Sequence, residues 1–356
     1  MILMLLLFII YSIFILTFIY GNRKLKSNLN AKKFTTKVSV VIAFRNEEQN
    51  LKKLLDSLII QTYPKDLLEF VFINDNSVDS GKSIIENVLT NAFIKFQIVD
   101  LIDKNGKKAA LDFGIRQACG EVILTTDADC WMEPDWILSM LSNLEEQNAS
   151  FIAGPVGLVP DDSLIGGLMQ LEFAALLAST SGGFGIRRPF MCNGANLGFT
   201  KKVYEELCPY QSNSNLASGD DVFFLHQVKR ANKKVSFVNS KAALVKTKGT
   251  TNLRVFFNQR LRWAGKSRGY RDLDIILIGL LITSVNLSLL FSFYKYLIGD
   301  YTLINLTSLF LIKSILDVAL IYSARSWVLA KNIILNSLLL SFIYPFYSVG
   351  IALLSL

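Results

Sequence analysis

Residues 121–130 read Glu-Val-Ile-Leu-Thr-Thr-Asp127-Ala-Asp129-Cys, an apolar run that stops on two carboxylates one residue apart. Such a run predicts a strand, and acids just past its end lie at the carboxyl edge of a sheet, where α/β proteins bind ligands. Two acids there suit a divalent metal that holds phosphate oxygens. Asp is also a common turn residue, so the pair gains meaning only from its company. Two more apolar runs end in polar clusters, Arg45-Asn46-Glu47 and Asn74-Asp75. Further on, Ser218-Gly219-Asp220-Asp221 precedes an apolar, helix-like segment over 222–231. Paired acids in that place are either helix-start residues or reacting groups. Gln259-x-x-Arg262-Trp263 lies in a basic stretch just before an apolar one, where Arg and Trp also serve as interfacial anchors.

The elements that must position these groups alternate. Val38–Phe44 is apolar and β-branched, a buried strand. Asn46 is placed to cap the next helix, with Glu47 and Glu48 in its first turn and Gln49 at the capping-box position. Leu51, Leu54, Leu55 and Leu58 recur at helical spacing and mark its buried face; Pro64 ends the unit. A strand over Glu69–Ile73, a helix over 80–91, a strand over 96–101 and a helix over 107–119 follow. Alternation of this kind predicts a mostly parallel sheet with helices on both faces. The three polar clusters then share one edge. Asn-Gly-Ala-Asn-Leu-Gly-Phe over 193–199 is a small-residue segment suited to close approach of backbone and ligand. No Gly-x-Gly-x-x-Gly follows the first strand and no Gly-x-x-x-x-Gly-Lys-Ser/Thr loop occurs, which argues against dinucleotide oxidoreductases and P-loop nucleotidases.

Of 356 residues, 51% are hydrophobic, and the apolar ones concentrate at the two ends. Residues 2–20 carry no charge and are long enough to span a bilayer. Arg23, Lys24, Lys26, Lys32 and Lys33 follow this stretch instead of preceding it, which favours an uncleaved anchor over a signal peptide. Three further apolar stretches run over roughly 275–294, 301–322 and 333–355. Basic residues also precede the second span (Arg260, Arg262, Lys266, Arg268, Arg271) and separate the third from the fourth (Arg325, Lys331). The positive-inside rule then expects 21–272 in the cytosol and both termini outside. The net charge of +8 is read the same way, as Lys and Arg beside anionic lipid headgroups and not as a nucleic-acid surface. Leu164–Ile186 is apolar and Gly-rich but interrupted by Glu172 for a transmembrane span; it reads as a core helix or a helix lying on the membrane. Lys313 and Asp317 share one face of the third span and can neutralise each other, either locking the helix to its neighbours or lining a groove for a polar lipid headgroup. Cys119, Cys130, Cys192 and Cys208 show no Cys-x-x-Cys spacing and read as buried small hydrophobes. His226 reads as a helix surface residue.

In order, Ala43-Phe-Arg-Asn-Glu47, Asp75-Asn-Ser, Gly106-Lys107, Asp127-Ala-Asp129, Gly219-Asp-Asp221 and Gln259-x-x-Arg262-Trp263 resemble the inverting nucleotide-sugar glycosyltransferases of family 2, above all their membrane-embedded branch. The resemblance covers about 38–265. It implies an α/β fold with a mostly parallel nucleotide-sugar-binding sheet of the GT-A kind, one N-terminal and about three C-terminal transmembrane helices. The domains expected are an anchor over 1–21, a cytosolic glycosyltransferase domain over 22–272 and a transmembrane region over 273–356. By the same resemblance, the backbone near Ala43–Glu47 and Asp75 would hold the nucleotide, usually uridine. Lys107 would lie near the diphosphate or base, Asp127 at the ribose or metal, and Asp129 on Mg²⁺ or Mn²⁺. Asp221 matches the general base, with Asp220 beside it, and Gln259, Arg262 and Trp263 match the motif that holds diphosphate and acceptor near the bilayer. Two positions depart from the family pattern: Asn74-Asp75 stands where two acids are usual, and Asp220 where Glu is usual.

The expected activity is transfer of a sugar from a UDP-sugar to a membrane lipid or lipid-linked acceptor. The protein would be multi-pass in a bacterial inner membrane, with no nucleic-acid partner. A processive polysaccharide synthase of the same family is the alternative, and a non-catalytic membrane scaffold is the rival from another class. The chemistry needs one base for the acceptor hydroxyl and positive charge at the departing diphosphate, and the sequence supplies candidates for both.

Overall fold

The computed structural model describes residues 2–26, 35–92, 94–102, 106–159, 163–210, 220–250, 252–329 and 333–354. Lys32, Lys33, Ser218, Gly219, Lys331 and the side chain of Arg268 lie outside the described residues. In chain order the first elements are α1 (Ile2–Lys24), β1 (Val38–Phe44), α2 (Glu48–Ile59), β2 (Leu68–Asn74), α3 (Gly81–Asn91), β3 (Phe96–Asp100), α4 (Lys107–Gln117), β4 (Val122–Thr125), β5 (Cys130–Met132) and α5 (Trp136–Glu146). Then come β6 (Phe151–Ala153), β7 (Val156–Val159), α6 (Leu164–Gly185), β8 (Leu197–Thr200), α7 (Lys201–Leu207), α8 (Asp220–Arg230), β9 (Val235–Phe237) and β10 (Val245–Lys248). Four helices close the chain: α9 (Leu253–Gly265), α10 (Leu273–Leu297), α11 (Leu303–Ser323) and α12 (Ile333–Leu354). Two compact units form, an α/β unit of Leu25–Gly157 with Met191–Lys248 and a helical unit of Met1–Lys24, Leu158–Phe190 and Gly249–Leu356.

The α/β unit is built on a seven-stranded sheet in the order β3-β2-β1-β4-β8-β6-β9. β1 pairs in parallel with β2 and β4, and β2 with β3, while β8 runs antiparallel to β4 and β6. Central parallel strands are covered on both faces, so they read as continuous apolar runs; Val40, Val41, Ile42, Phe70, Val71, Phe72 and Ile73 are all fully buried. The register sets Phe44 opposite Asn74, so β1 and β2 end level and release their polar clusters at one edge. Leu51, Leu54, Leu55 and Leu58 of α2 are also fully buried. Gly114 lets α4 sit down on the sheet: a Cβ there would come within 2.7 Å of Ile73 and 2.8 Å of Val41. β5, β10 and β7 form a second, smaller sheet in that order.

Several local expectations are corrected. Asn46 does not cap α2; it takes the left-handed conformation with φ 56°, and no capping box forms, because the N-cap residue is Glu47 without a side-chain cap bond. His226 is not on the surface of α8 but 1% exposed, because α8 buries its apolar face, including Val222, Phe224, Leu225 and Val228, around it. Cys130 and Cys192 are buried as expected, whereas Cys119 is exposed and Cys208 half-buried. The 193–199 segment spends most of its small residues on packing: Asn196 is buried, bonding Pro155 and Ala243 carbonyls and the Trp136 indole, and a Cβ on Gly198 would strike Leu124 at 2.7 Å.

In the helical unit, α1, α6, α10, α11 and α12 are each long and apolar enough to cross a membrane. α6 is not interrupted at Glu172; it is one 22-residue helix. Yet 61% of its most apolar window is buried, against 22% for α1, the signature of a packed helix. α1 meets α6 at glycines: a Cβ on Gly21 would come 2.2 Å from the Gly182 carbonyl oxygen. Small residues of this kind are what lets apolar helices approach closely. Asn22 donates to Ala178 O (2.9 Å) and Ser323 Oγ (2.8 Å) and accepts from Ser181 Oγ (2.6 Å). Lys313 donates to Asp317 at 2.5 Å, and Tyr11 of α1 donates to the same carboxylate. The pair therefore ties α11 to α1.

Glu69 secures the opposite edge of the parallel sheet. Its side chain is 7% exposed and accepts from Ser39 Oγ of β1 (2.5 Å) and Cys119 N–H before β4 (2.5 Å), with Lys95 Nζ at 3.1 Å. Burial would raise its pKa, but these donors outweigh burial and hold it below the usual carboxylate range. A depressed folded pKa stabilises above the unfolded value and is lost as pH falls through the folded one. Glu69→Gln is expected to cost about 1–3 kcal/mol at pH 7. The gap between wild-type and variant thermal midpoints should shrink below about pH 4.

Candidate active site

The cleft begins with two loops knitted together. Asp79, between β2 and α3, accepts Glu48 N–H through Oδ2 (2.8 Å) and Gly81 N–H through Oδ1 (3.1 Å). One carboxylate thus satisfies the first turns of α2 and α3, where free N–H groups favour an anion. Asn46 Oδ1 accepts Val78 N–H (2.9 Å), Ser77 Oγ accepts Asn46 N–H (3.1 Å), and Glu48 reaches Ser80 Oγ (2.9 Å). The left-handed turn at Asn46 swings Glu47 toward the sheet edge, where Asn50 Nδ2 donates to it at 2.7 Å.

Ala43, Phe44, Arg45, Glu47, Asp75, Lys107, Asp127, Ala128 and Asp129 line a cleft of about 230 Å³ at that edge. Asp75 is buried; it accepts Gly106 N–H at 3.0 Å and has Arg45 Nη1 at 3.8 Å. Gly106 has φ +100°, a conformation that favours glycine, and from it α4 starts with Lys107. Lys107 Nζ lies 2.5 Å from Asp127 Oδ1. Desolvation would lower the Lys107 pKa, but Asp127, then Asp221 and Asp129, raise it above the ordinary lysine value. The acids show the opposite imbalance. Asp129 is pushed up by burial and then by Asp127, against Cys130, Lys107 and the Thr247 hydroxyl at 3.3 Å. Glu47 is pushed up by burial and then, against the Asn50 bond, by Asp129 and Asp127.

Negative charge is therefore in excess here, and a divalent cation on Asp127 and Asp129 would relieve it. No group of three or more His, Cys, Asp or Glu side chains able to hold a metal occurs among the described residues. Such a cation would complete its shell with water and ligand phosphate, the usual arrangement for Mg²⁺.

The two acids of α8 are set apart by their partners. Asp220 pairs with Lys108 at 3.0 Å. Asp221 Oδ2 accepts Gly194 N–H at 2.9 Å and its Oδ1 accepts Val222 N–H at 2.9 Å. Gly194 O accepts the hydroxyl of Thr125, the last residue of β4, at 3.1 Å. The 193–199 segment thus brings backbone to a carboxylate. Asp221 does not line the cleft, although its charge reaches Lys107.

Gln259, Arg262 and Trp263 belong to α9 in the helical unit, with Arg262 exposed and the other two half-buried. The sequence reading gave no role to Lys108 or Thr247, and it took Gly194 only as part of a small-residue segment, Glu172 as an interruption and Arg260 as a basic residue before a span. Lys108 follows Lys107 and was within reach of a residue-by-residue reading. Thr247, on β10, carries no local signal.

Residues 39–207 match the family model described as "Glycosyl transferase family 2". Just under half of the chain is therefore similar to glycosyltransferase family 2. It is 27% identical over 194 residues to Glycosyltransferase AglE of Haloferax volcanii, covering 54% of this chain and 60% of that protein. It is 29% identical over 141 residues to a poly-beta-1,6-N-acetyl-D-glucosamine synthase of Staphylococcus epidermidis, covering 39% of this chain and 33% of the synthase. The chain thus spans less than two thirds of these relatives. Among solved structures, the mannosyltransferase PcManGT from Pyrobaculum calidifontis, in complex with GDP-Man and Mn²⁺, has a similar fold. The TM-score is 0.53 at 16% identity, over 90% of this chain and 81% of that one. The mixed α/β, mostly parallel architecture is therefore the GT-A-like fold.

Asp79 makes the cleft loops a test of local order. Asp79→Ala is expected to cost about 1–2 kcal/mol through lost capping. Amide exchange should rise in the first turns of both α2 and α3, whereas a change confined to α3 would contradict the shared cap.

Proposed function

We propose that the α/β unit moves a sugar from a nucleoside-diphosphate sugar, a UDP-sugar first of all, to a hydroxyl of a membrane lipid or lipid-linked acceptor, with inversion. The observation that supports this is the convergence of Asp75, Lys107, Asp127 and Asp129 on one cleft at the carboxyl edge of the sheet. Asp75, with the Ala43–Glu47 backbone, suits the nucleoside. Lys107 offers a cation to the diphosphate. Asp129, with Asp127, would hold Mg²⁺ or Mn²⁺, which when bound would neutralise charge on the leaving diphosphate. Asp221, held by two backbone N–H groups, is the base. The acceptor oxygen forms a bond to the anomeric carbon as the bond from that carbon to the phosphate oxygen breaks. The electron pair leaves with the nucleoside diphosphate, and the hydroxyl proton passes to Asp221. Asp220 stays ion-paired, and Gln259, Arg262 and Trp263 serve the diphosphate and acceptor. The basic residues beside the spans support a cytosolic side for the catalytic unit.

The likeness to the poly-N-acetylglucosamine synthase supports one second reading, repeated transfer to a growing polymer. Detergent-purified full-length protein incubated with UDP-sugars, GDP-mannose and total membrane lipid separates the two by product mass: a single added sugar on lipid, or a ladder. Asp221→Asn should lower kcat by about 10²–10⁴-fold with donor affinity retained. Wild-type turnover in Asp221→Asn would remove Asp221 as base, and no nucleotide release with any donor would favour a non-catalytic scaffold. Chelation should weaken donor binding and Mn²⁺ should restore it, an effect absent in Asp129→Asn.

A further inference from the structure

The helical unit holds a second buried ion pair, and it lies inside the Gln259-x-x-Arg262-Trp263 motif. Arg260 is 5% exposed. Its Nε and Nη2 donate to Glu172 Oε2 of α6 at 2.9 and 2.7 Å. Tyr347 of α12 donates to the other oxygen of Glu172 at 3.2 Å. The guanidinium carbon lies 4.5 Å from the Phe256 ring centroid and 4.3 Å from that of Trp263, one helical turn to either side. The remaining arm, Nη1, donates to Gln259 Oε1 at 2.8 Å. A guanidinium has donors only. It therefore accepts no orientation of the Gln259 amide except oxygen inward, and the amide NH₂ is left as a donor pair.

We infer that Arg260, clamped by Glu172, is the positioning residue of α9. It sets Gln259 as a hydrogen-bond donor toward an oxygen-rich anionic ligand and holds one face of the Trp263 indole. This rests on the reading above, in which Gln259 and Trp263 serve the diphosphate and acceptor. The assignment explains why an ionic group is buried at a motif position where an apolar residue would pack: a Leu or Met would leave the amide free to turn its oxygen outward. It also gives Glu172, the one acid within apolar α6, a role that does not involve touching substrate.

The test separates orientation from simple packing. Removing Arg260 alone would strand the Glu172 charge, so Glu172→Leu and Arg260→Met are combined; apolar replacement of a whole buried pair is often neutral for folding. Arg260→Lys is the second variant, because it keeps the charge but one ammonium lacks the planar fork that serves both partners. Both should retain the wild-type thermal midpoint and donor KM, while kcat falls about 10²-fold. In a Gln259→Leu background the combined replacement should cause no further fall, since groups acting as one unit are non-additive. Wild-type kcat in either variant, or losses that add to that of Gln259→Leu, would overturn the inference. Wild-type kcat in Gln259→Leu itself would instead remove the substrate role of α9.

Discussion

Carboxylates repel, and the α/β unit gathers Glu47, Asp75, Asp127 and Asp129 around one cleft of about 230 Å³. Much of the surrounding structure exists to hold that arrangement. Parallel pairing ends β1 and β2 at the same level, so the acids arrive from separate loops onto one edge. Lys107 offsets part of the charge from the start of α4. Buried Asp75 is stabilised by Gly106 N–H, and Asp79 joins the first turns of α2 and α3 so that the Glu47 loop cannot relax away. The residual excess appears in the raised pKa values of Asp129 and Glu47. That is the electrostatic state from which a bound cation would gain most.

The helical unit meets the opposite demand. Its helices are apolar, so each charge buried among them needs a partner. Lys313 and Tyr11 share Asp317, and Arg260 and Tyr347 share Glu172. In both cases the carboxylate receives donors from more than one helix. Charge pairing thus ties α1 to α11 and α6 to α9 and α12, giving these apolar helices directional contacts that apolar packing alone does not supply.

Much of the fold was legible in residue pattern. Leu51, Leu54, Leu55 and Leu58 marked the buried face of α2 because helical spacing is a local property, and the apolar runs of β1 and β2 marked strands buried on both faces. Errors arose where a side chain's partner is remote in sequence. Asn46 has the chemistry of a cap, but Asp79 takes that position from another loop. His226 looks like a surface residue until α8 turns it inward. Glu172 looks like an interruption because its partner, Arg260, lies 88 residues later.

The sequence by itself determined the alternating elements, the apolar helices and the acids at strand ends, since each depends on periodicity or on neighbours a few residues away. It also carried the ordered motifs that resemble those of glycosyltransferase family 2. Only the tertiary structure decided which acids are paired, which crowd one another, and which way a motif amide points. Asp220 and Asp221 are chemically identical and adjacent; Lys108 and the Gly194 backbone make them different. Those distinctions follow from Coulomb energy and hydrogen-bond direction over a few ångströms, and such distances are set by the fold.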